Sequence, residues 1–123
     1  MRRSVHWLTA AAVALAAMMA QRAEAHAVLQ RADPRVGAAV AKAPPSIRLT
    51  FSERIVAPFC RVTVTGPAGF GGVGPAHAVA GLPAALAVDL KGAAPRGAYR
   101  VRWRVLSADT HVSEGEFSFR VGP

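Results

Sequence analysis

The 123-residue chain has one cysteine, Cys60, so no intramolecular disulfide can form, and in an oxidising compartment stability must come from the core. Cys60 shares its parity with Val62 and Val64, the pattern of a small buried thiol acting as a hydrophobe. Methionine is confined to Met1, Met18 and Met19, which leaves no thioether beyond residue 19 to serve as a soft metal ligand. Acidic residues number 7 against 15 basic ones. Aromatics make up only 7% of the chain, and the basic residues are spread along strand-like runs with few aromatics among them, which argues against nucleic-acid binding. Helical periodicity is lacking after residue 25, and only one long hydrophobic run is present.

That run lies near the start. Arg2 and Arg3 precede an apolar stretch from Leu8 to Ala20, short for a bilayer-spanning helix, which needs about 20 residues. Ala23-Glu24-Ala25 then places small residues at both positions a signal peptidase inspects. The expected organisation is a signal peptide over 1-25, cut after Ala25, and one small domain over 26-123. Arg2, Arg3, Arg22 and Glu24 leave with the signal, so 15 basic and 7 acidic residues become 12 and 6, a formal charge of +6. In an exported product this favours anionic membrane surfaces or acidic partners. No second segment of spanning length follows, so the processed protein is expected not to span a membrane. Its oligomeric state is not legible.

What the domain does have is period-two alternation. Ile47, Leu49 and Phe51 oppose Arg48, Thr50 and Ser52; Tyr99, Val101, Trp103 and Val105 oppose Arg100, Arg102 and Arg104; Phe117, Phe119 and Val121 oppose Glu116, Ser118 and Arg120. Weaker strands are expected near Ala27–Gln30, Gly37–Val40, Cys60–Thr65 and Leu86–Leu90. Turn signals separate them at Asp33-Pro34, Pro44-Pro45, Gly66-Pro67, Gly69–Gly74, Pro83 and Pro95-Arg96-Gly97. About seven short strands in under 100 residues predict an all-β fold, a Greek-key sandwich or barrel. The glycine-rich stretch lacks a GK[ST] ending and a following helix, so it reads as an inter-strand connection running to about Ala85, not a phosphate loop.

Three histidines lie after the cut: His26, His77 and His111. No serine occupies a nucleophile elbow and Cys60 has no histidine beside it in sequence, so hydrolytic triads find no support. A metal site does. With cleavage after Ala25, His26 becomes N-terminal, and its amine and ring Nδ1 can close a chelate on one ion. The amine titrates near about 8 and imidazole near about 6.5, so a Lewis-acidic ion can displace both protons around neutrality. Asp109 and His111, two apart in SADTH, would share a face if extended. The D-x-H pair can also be read as a turn whose carboxylate bonds only the backbone. Together with His26 it offers two imidazoles, an amine and a carboxylate, a tetragonal set suited to Cu(II). His77 has no ligand-type neighbour in sequence and reads as a solvated loop residue. The arginine stripe reads as a solvated sheet face balanced by charges such as Glu116.

Taken in order, HAVLQRADPRVGAAV, APPSIRLTFSERI and YRVRWRVLSADTHVSEGEFSFRV resemble the CopC family of periplasmic copper-resistance proteins over nearly the whole domain, apart from Gly66 to Ala85. The resemblance implies a seven-stranded Greek-key barrel or sandwich of cupredoxin-like or immunoglobulin-like form. It also implies a periplasmic Cu(II)-binding protein that sequesters or transfers one ion per chain in copper resistance or homeostasis, without enzymatic activity. The implied ligands are His26, Asp109 and His111, with Glu53 of the FSE motif auxiliary or in the surrounding shell. The implied partner is a CopD-like inner-membrane copper protein. Some members carry a methionine-rich Cu(I) site, which this chain cannot assemble, so a Cu(II)-only type is expected. Two alternatives remain: a histidine-brace copper oxidase like the lytic polysaccharide monooxygenases, which would need an open coordination position and a substrate face, and a metal-free immunoglobulin-like interaction module.

Overall fold

The computed structural model describes residues 26 to 123; the expected signal peptide and its cleavage site lie outside the described residues, apart from His26 itself. The described residues form eight strands: β1 (Leu29–Asp33), β2 (Ala39–Val40), β3 (Ser46–Phe51), β4 (Arg61–Thr65), β5 (His77–Val79), β6 (Leu82–Asp89), β7 (Gly97–Leu106) and β8 (Val112–Val121). They make two four-stranded sheets, ordered β1-β3-β6-β5 and β2-β8-β7-β4. The all-β expectation holds, and of the sandwich and the barrel it is the sandwich that forms. The count is eight where seven were expected.

The alternation becomes a shared core because β7 and β8 are each buried on one face. Tyr99, Val101, Trp103 and Val105 from β7 and Phe117, Phe119 and Val121 from β8 pack against Ile47, Leu49 and Phe51 of β3 and Leu86 and Val88 of β6. Phe51 meets Trp103 edge-on with ring centroids 5.1 Å apart, and Tyr99 stacks on Phe119 at 5.2 Å. Opposite Trp103 in the register stands Gly115, where an added Cβ would fall 2.4 Å from Trp103 Cζ2. The indole ring occupies the space a side chain would need.

The unexpected strand is β5, inside the stretch expected to be a connection. Val79 pairs with Leu82 across Ala80-Gly81, and Gly81 takes φ +76°, a conformation that favours glycine. A tight hairpin results. β5 places His77 opposite Ala87, on the edge of its sheet farthest from β1. The expectation that His77 lacks a ligand-type neighbour is therefore corrected: its Nε2 lies 3.3 Å from Asp89 Oδ1 and its Nδ1 3.1 Å from Ala78 O. Strand pairing brings together residues that sequence separates by twelve positions, and these contacts raise the imidazole pKa, the Ala78 carbonyl most and the Asp89 carboxylate next.

On the outer face of the second sheet, Arg104 bonds Glu114 at 3.0 Å and Arg102 approaches Glu116 at 3.5 Å, as expected of a balanced solvated face. Arg100 faces Ser118 instead. Cys60 is half-buried against the core. Its Sγ lies 3.3 Å from Val56 O, and desolvation raises the thiol pKa.

Candidate metal centre

Three segments meet at one pole of the sandwich, and main-chain hydrogen bonds fasten them there. The first is the N-terminal approach. Ala27 is buried, and Val28 is clamped to Ser52 twice: Val28 N–H donates to Ser52 Oγ, and Ser52 N–H to Val28 O, both at 2.8 Å. His26, two residues before that anchor, is exposed but held close to the sandwich end.

The second segment, just after β3, contains Glu53. The third is the connection from β7 to β8, Ser107 to His111. Ser107 bridges Ile55, and Ala108 N–H donates to Arg54 O at 2.9 Å, so these two segments share hydrogen bonds immediately after Glu53. Glu53 is half-buried at this pole.

Within the third segment, Ser107 N–H donates to His111 O and Thr110 N–H to Ser107 O, both at 2.9 Å. Thr110 has φ 72°, in the left-handed region that β-branched residues rarely enter. The chain therefore turns here, and the expected extended, same-face placement of Asp109 and His111 is incorrect. The two side chains meet regardless, with His111 Nδ1 3.3 Å from Asp109 Oδ2. The Ser107 hydroxyl, on a residue only 1% exposed, donates to Asp109 Oδ1, which also accepts from His111 N–H at 3.3 Å. These donors hold the Asp109 carboxyl below the usual carboxylate range, the Ser107 hydroxyl most, against a partial opposing effect of desolvation.

The imidazoles of His26 and His111 stand edge to face with centroids 5.1 Å apart. Two rings that sequence places 85 positions apart thus become neighbours. The Asp109 contact favours the tautomer with the His111 proton on Nδ1, leaving the Nε2 lone pair free for a metal; a carboxylate behind an imidazole is a common arrangement around metal ligands. Among the described residues no three His, Cys, Asp or Glu side chains already stand in ligating geometry. Both Asp109 oxygens are engaged within the loop, and a peptide bond to Ala25 withholds the His26 amine, so processing would have to supply the donor that complements the two rings. The chemistry of the available donors fits a borderline divalent ion.

Ser52 and Ser107 escape the sequence reading, although they fix the positions of His26 and Asp109. Ser107 leaves a trace, being polar at the inward parity of Tyr99, Val101, Trp103 and Val105. Ser52 leaves none.

With this geometry in place, comparison with known proteins gives a consistent result. The CopC domain family matches residues 29–122, and the chain belongs to that family. It is 35% identical over 106 residues to copper resistance protein C of Escherichia coli, covering 80% of this chain and 83% of that protein. It is 33% identical over 105 residues to protein YobA of Escherichia coli K12, covering 79% of each. Among solved structures, CopC from Methylosinus trichosporium OB3b superposes with a TM-score of 0.70 at 31% identity, over 80% of this chain and 95% of that one. PcoC from Escherichia coli, described as a methionine-rich copper resistance protein, gives 0.66 at 33% identity, over 79% of this chain and 99% of that one. Here the present chain departs, since its three methionines all precede residue 20.

Proposed function

We propose that the protein binds Cu(II) in the periplasm, one ion per processed chain, and sequesters it or passes it to a CopD-like inner-membrane partner. The observation that carries this reading is the pairing of His26 with His111 at 5.1 Å, because His26 is the residue that cleavage after Ala25 would make N-terminal. The ligands are the His26 amine and ring Nδ1, His111 through Nε2, and Asp109. Asp109 orients His111 before the ion arrives and reaches the ion only by releasing His111 Nδ1 or Ser107. Glu53 lies at the same pole as an auxiliary group. Nitrogen donors with one carboxylate suit Cu(II), and the lack of methionine in the domain argues against a companion Cu(I) site. Binding and release need no catalytic group. No helix among the described residues is long and apolar enough to cross a membrane.

Intact mass of the exported protein, followed by Cu(II) electron paramagnetic resonance, tests this reading. The expected mass begins at His26, and the expected spectrum is tetragonal and nitrogen-rich, changing markedly when one alanine is added before His26. An unchanged spectrum would remove the amine from the site and refute the proposal.

A further inference from the structure

Charge on the outer face of the second sheet is only partly balanced. In the register of β4, β7 and β8, Arg61 stands opposite Arg104, Thr63 opposite Arg102, Thr65 opposite Arg100, and Ala98 opposite Arg120. All five arginines are exposed. Glu114 and Glu116 engage Arg104 and Arg102, but Arg61, Arg100 and Arg120 form no ion pair among the described residues. Five guanidinium groups against two carboxylates leave this face at +3, half the +6 of residues 26–123. The outer face of the first sheet sets Arg31 and Arg48 against Asp33 and Asp89, whose formal charges cancel. By strand rise and spacing the five arginines fall within about 20 Å by 10 Å. That is about two Debye lengths by one at physiological salt, so they act as one positive field. Arg61 directly opposite Arg104 is a like-charge pair, which weakens a sheet unless negative charge covers it.

At the rim of this face stands Phe59, 70% exposed, more than any other large hydrophobic side chain among the described residues. It ends a single 3-10 turn, Ala57–Phe59, and Cys60 after it is extended (φ −99°, ψ 151°). Phe59 and Arg61 therefore flank Cys60 on the same side of the chain. Next to Phe59, Pro58, Val79 and Leu82 line a shallow apolar cleft with exposed Arg54 in its wall.

We propose that this face docks on an anionic bilayer surface, its guanidinium groups meeting lipid phosphates while Phe59 enters the headgroup layer. Between the arginines lie Thr63, Thr65, Ala98 and Ser118, with no exposed aromatic or large aliphatic side chain. The face thus lacks the central anchor around which a protein interface forms. A bilayer needs none. It requires positive charge spread over a plane, to which mobile headgroups adjust, and an apolar tip at the rim. Guanidinium forks match phosphate oxygens in pairs. β7 ends at Leu106, shortly before His111, so the pole bearing the imidazoles lies at the margin of the docked face. Its use in holding that pole near a membrane partner rests on the function proposed above; the docking itself does not.

The test uses metal-free exported protein and two kinds of vesicle, phosphatidylcholine alone and an equal mixture with phosphatidylglycerol. Cosedimentation should show binding to the mixed vesicles only, lost at about 1 M salt, where the Debye length is about 3 Å. Arg61→Gln and Arg100→Gln should each lower the partition coefficient about fivefold, the worth of one basic residue near such a surface. Arg48→Gln removes the same charge from the opposite face and should lower it by less than about twofold. In Phe59→Trp, mixed vesicles should shift the new indole emission to the blue over the constant background of buried Trp103. Equal losses in Arg48→Gln and Arg100→Gln would show attraction to net charge alone and overturn the proposal. So would an unshifted Phe59→Trp emission, equal binding to phosphatidylcholine, or no binding to either vesicle. Capture of polyglutamate with none of the vesicles would assign the face to an acidic protein instead. Because every readout is metal-free, failure of the copper reading leaves these outcomes unchanged.

Discussion

Removing the Ser52 hydroxyl isolates how the fold holds His26. In Ser52→Ala, Val28 N–H loses its 2.8 Å bond to Oγ while Ser52 N–H still reaches Val28 O. One net hydrogen bond of this kind contributes about 0.5–1.5 kcal/mol. If that energy is spent holding His26 near His111, the apparent Cu(II) dissociation constant should rise about two- to tenfold, at about 1.4 kcal/mol per decade. The freed N–H is solvent-exposed, so thermal stability should fall by no more than about 1 kcal/mol. Competition against a chromophoric Cu(II) chelator measures the affinity. A double-mutant cycle with the alanine-extended protein then decides the mechanism. Once the amine is displaced from the metal, Ser52→Ala should have little further effect. A full, additive loss in the extended background would show that the clamp does not act through His26, and unchanged affinity in the parent background would refute its positioning role.

Gly115→Ala should destabilise the domain by about 1–3 kcal/mol, since the new methyl overlaps the Trp103 ring, and calorimetry should show Tm lower by about 4 °C or more. Ser107→Ala should raise the Asp109 titration midpoint, read by carbon NMR. The carboxyl is held low in the folded state, so its stabilising contribution is present above the unfolded value of about 3.9 and is lost as pH falls through the folded one; the variant should lose it at higher pH. Asp89→Asn should lower the His77 midpoint in proton NMR without altering Cu(II) affinity, because that pair lies on the edge of its sheet farthest from β1. His111→Ala should weaken Cu(II) binding severely, whereas His77→Ala should leave it within a factor of about two.

The strands of the core were legible because long side chains on β3, β7 and β8 must alternate between core and solvent, and that requirement is written in Tyr99, Val101, Trp103 and Val105. β5 was not legible. His77-Ala78-Val79 is too short and too poor in large side chains to show a period, and only the glycine after Ala80 hints at its hairpin. At the candidate site, ligand-type residues announce themselves by chemistry, which is why His26, Asp109 and His111 can be singled out before any coordinates. What holds them does not. Ser52 and Ser107 act through hydrogen bonds to residues brought near by sheet pairing, and a single sequence carries no record of which serine has such a partner. The same limit hid the left-handed turn at Thr110, where a threonine occupies a conformation that statistics assign to glycine or asparagine.

The direction of β8 has a practical corollary. Val112 begins beside the imidazole pair, and nine residues later Val121 pairs with Gly97 at the other end of the sandwich. The two ends of the domain are therefore unequal as attachment points. An affinity handle or surface linker joined after Pro123 would project away from the histidines and leave them facing solution, whereas one joined ahead of His26 would cap the very nitrogen proposed to complete the chelate. A sensor or immobilised copper scavenger built on this scaffold has only its carboxyl end to be held by.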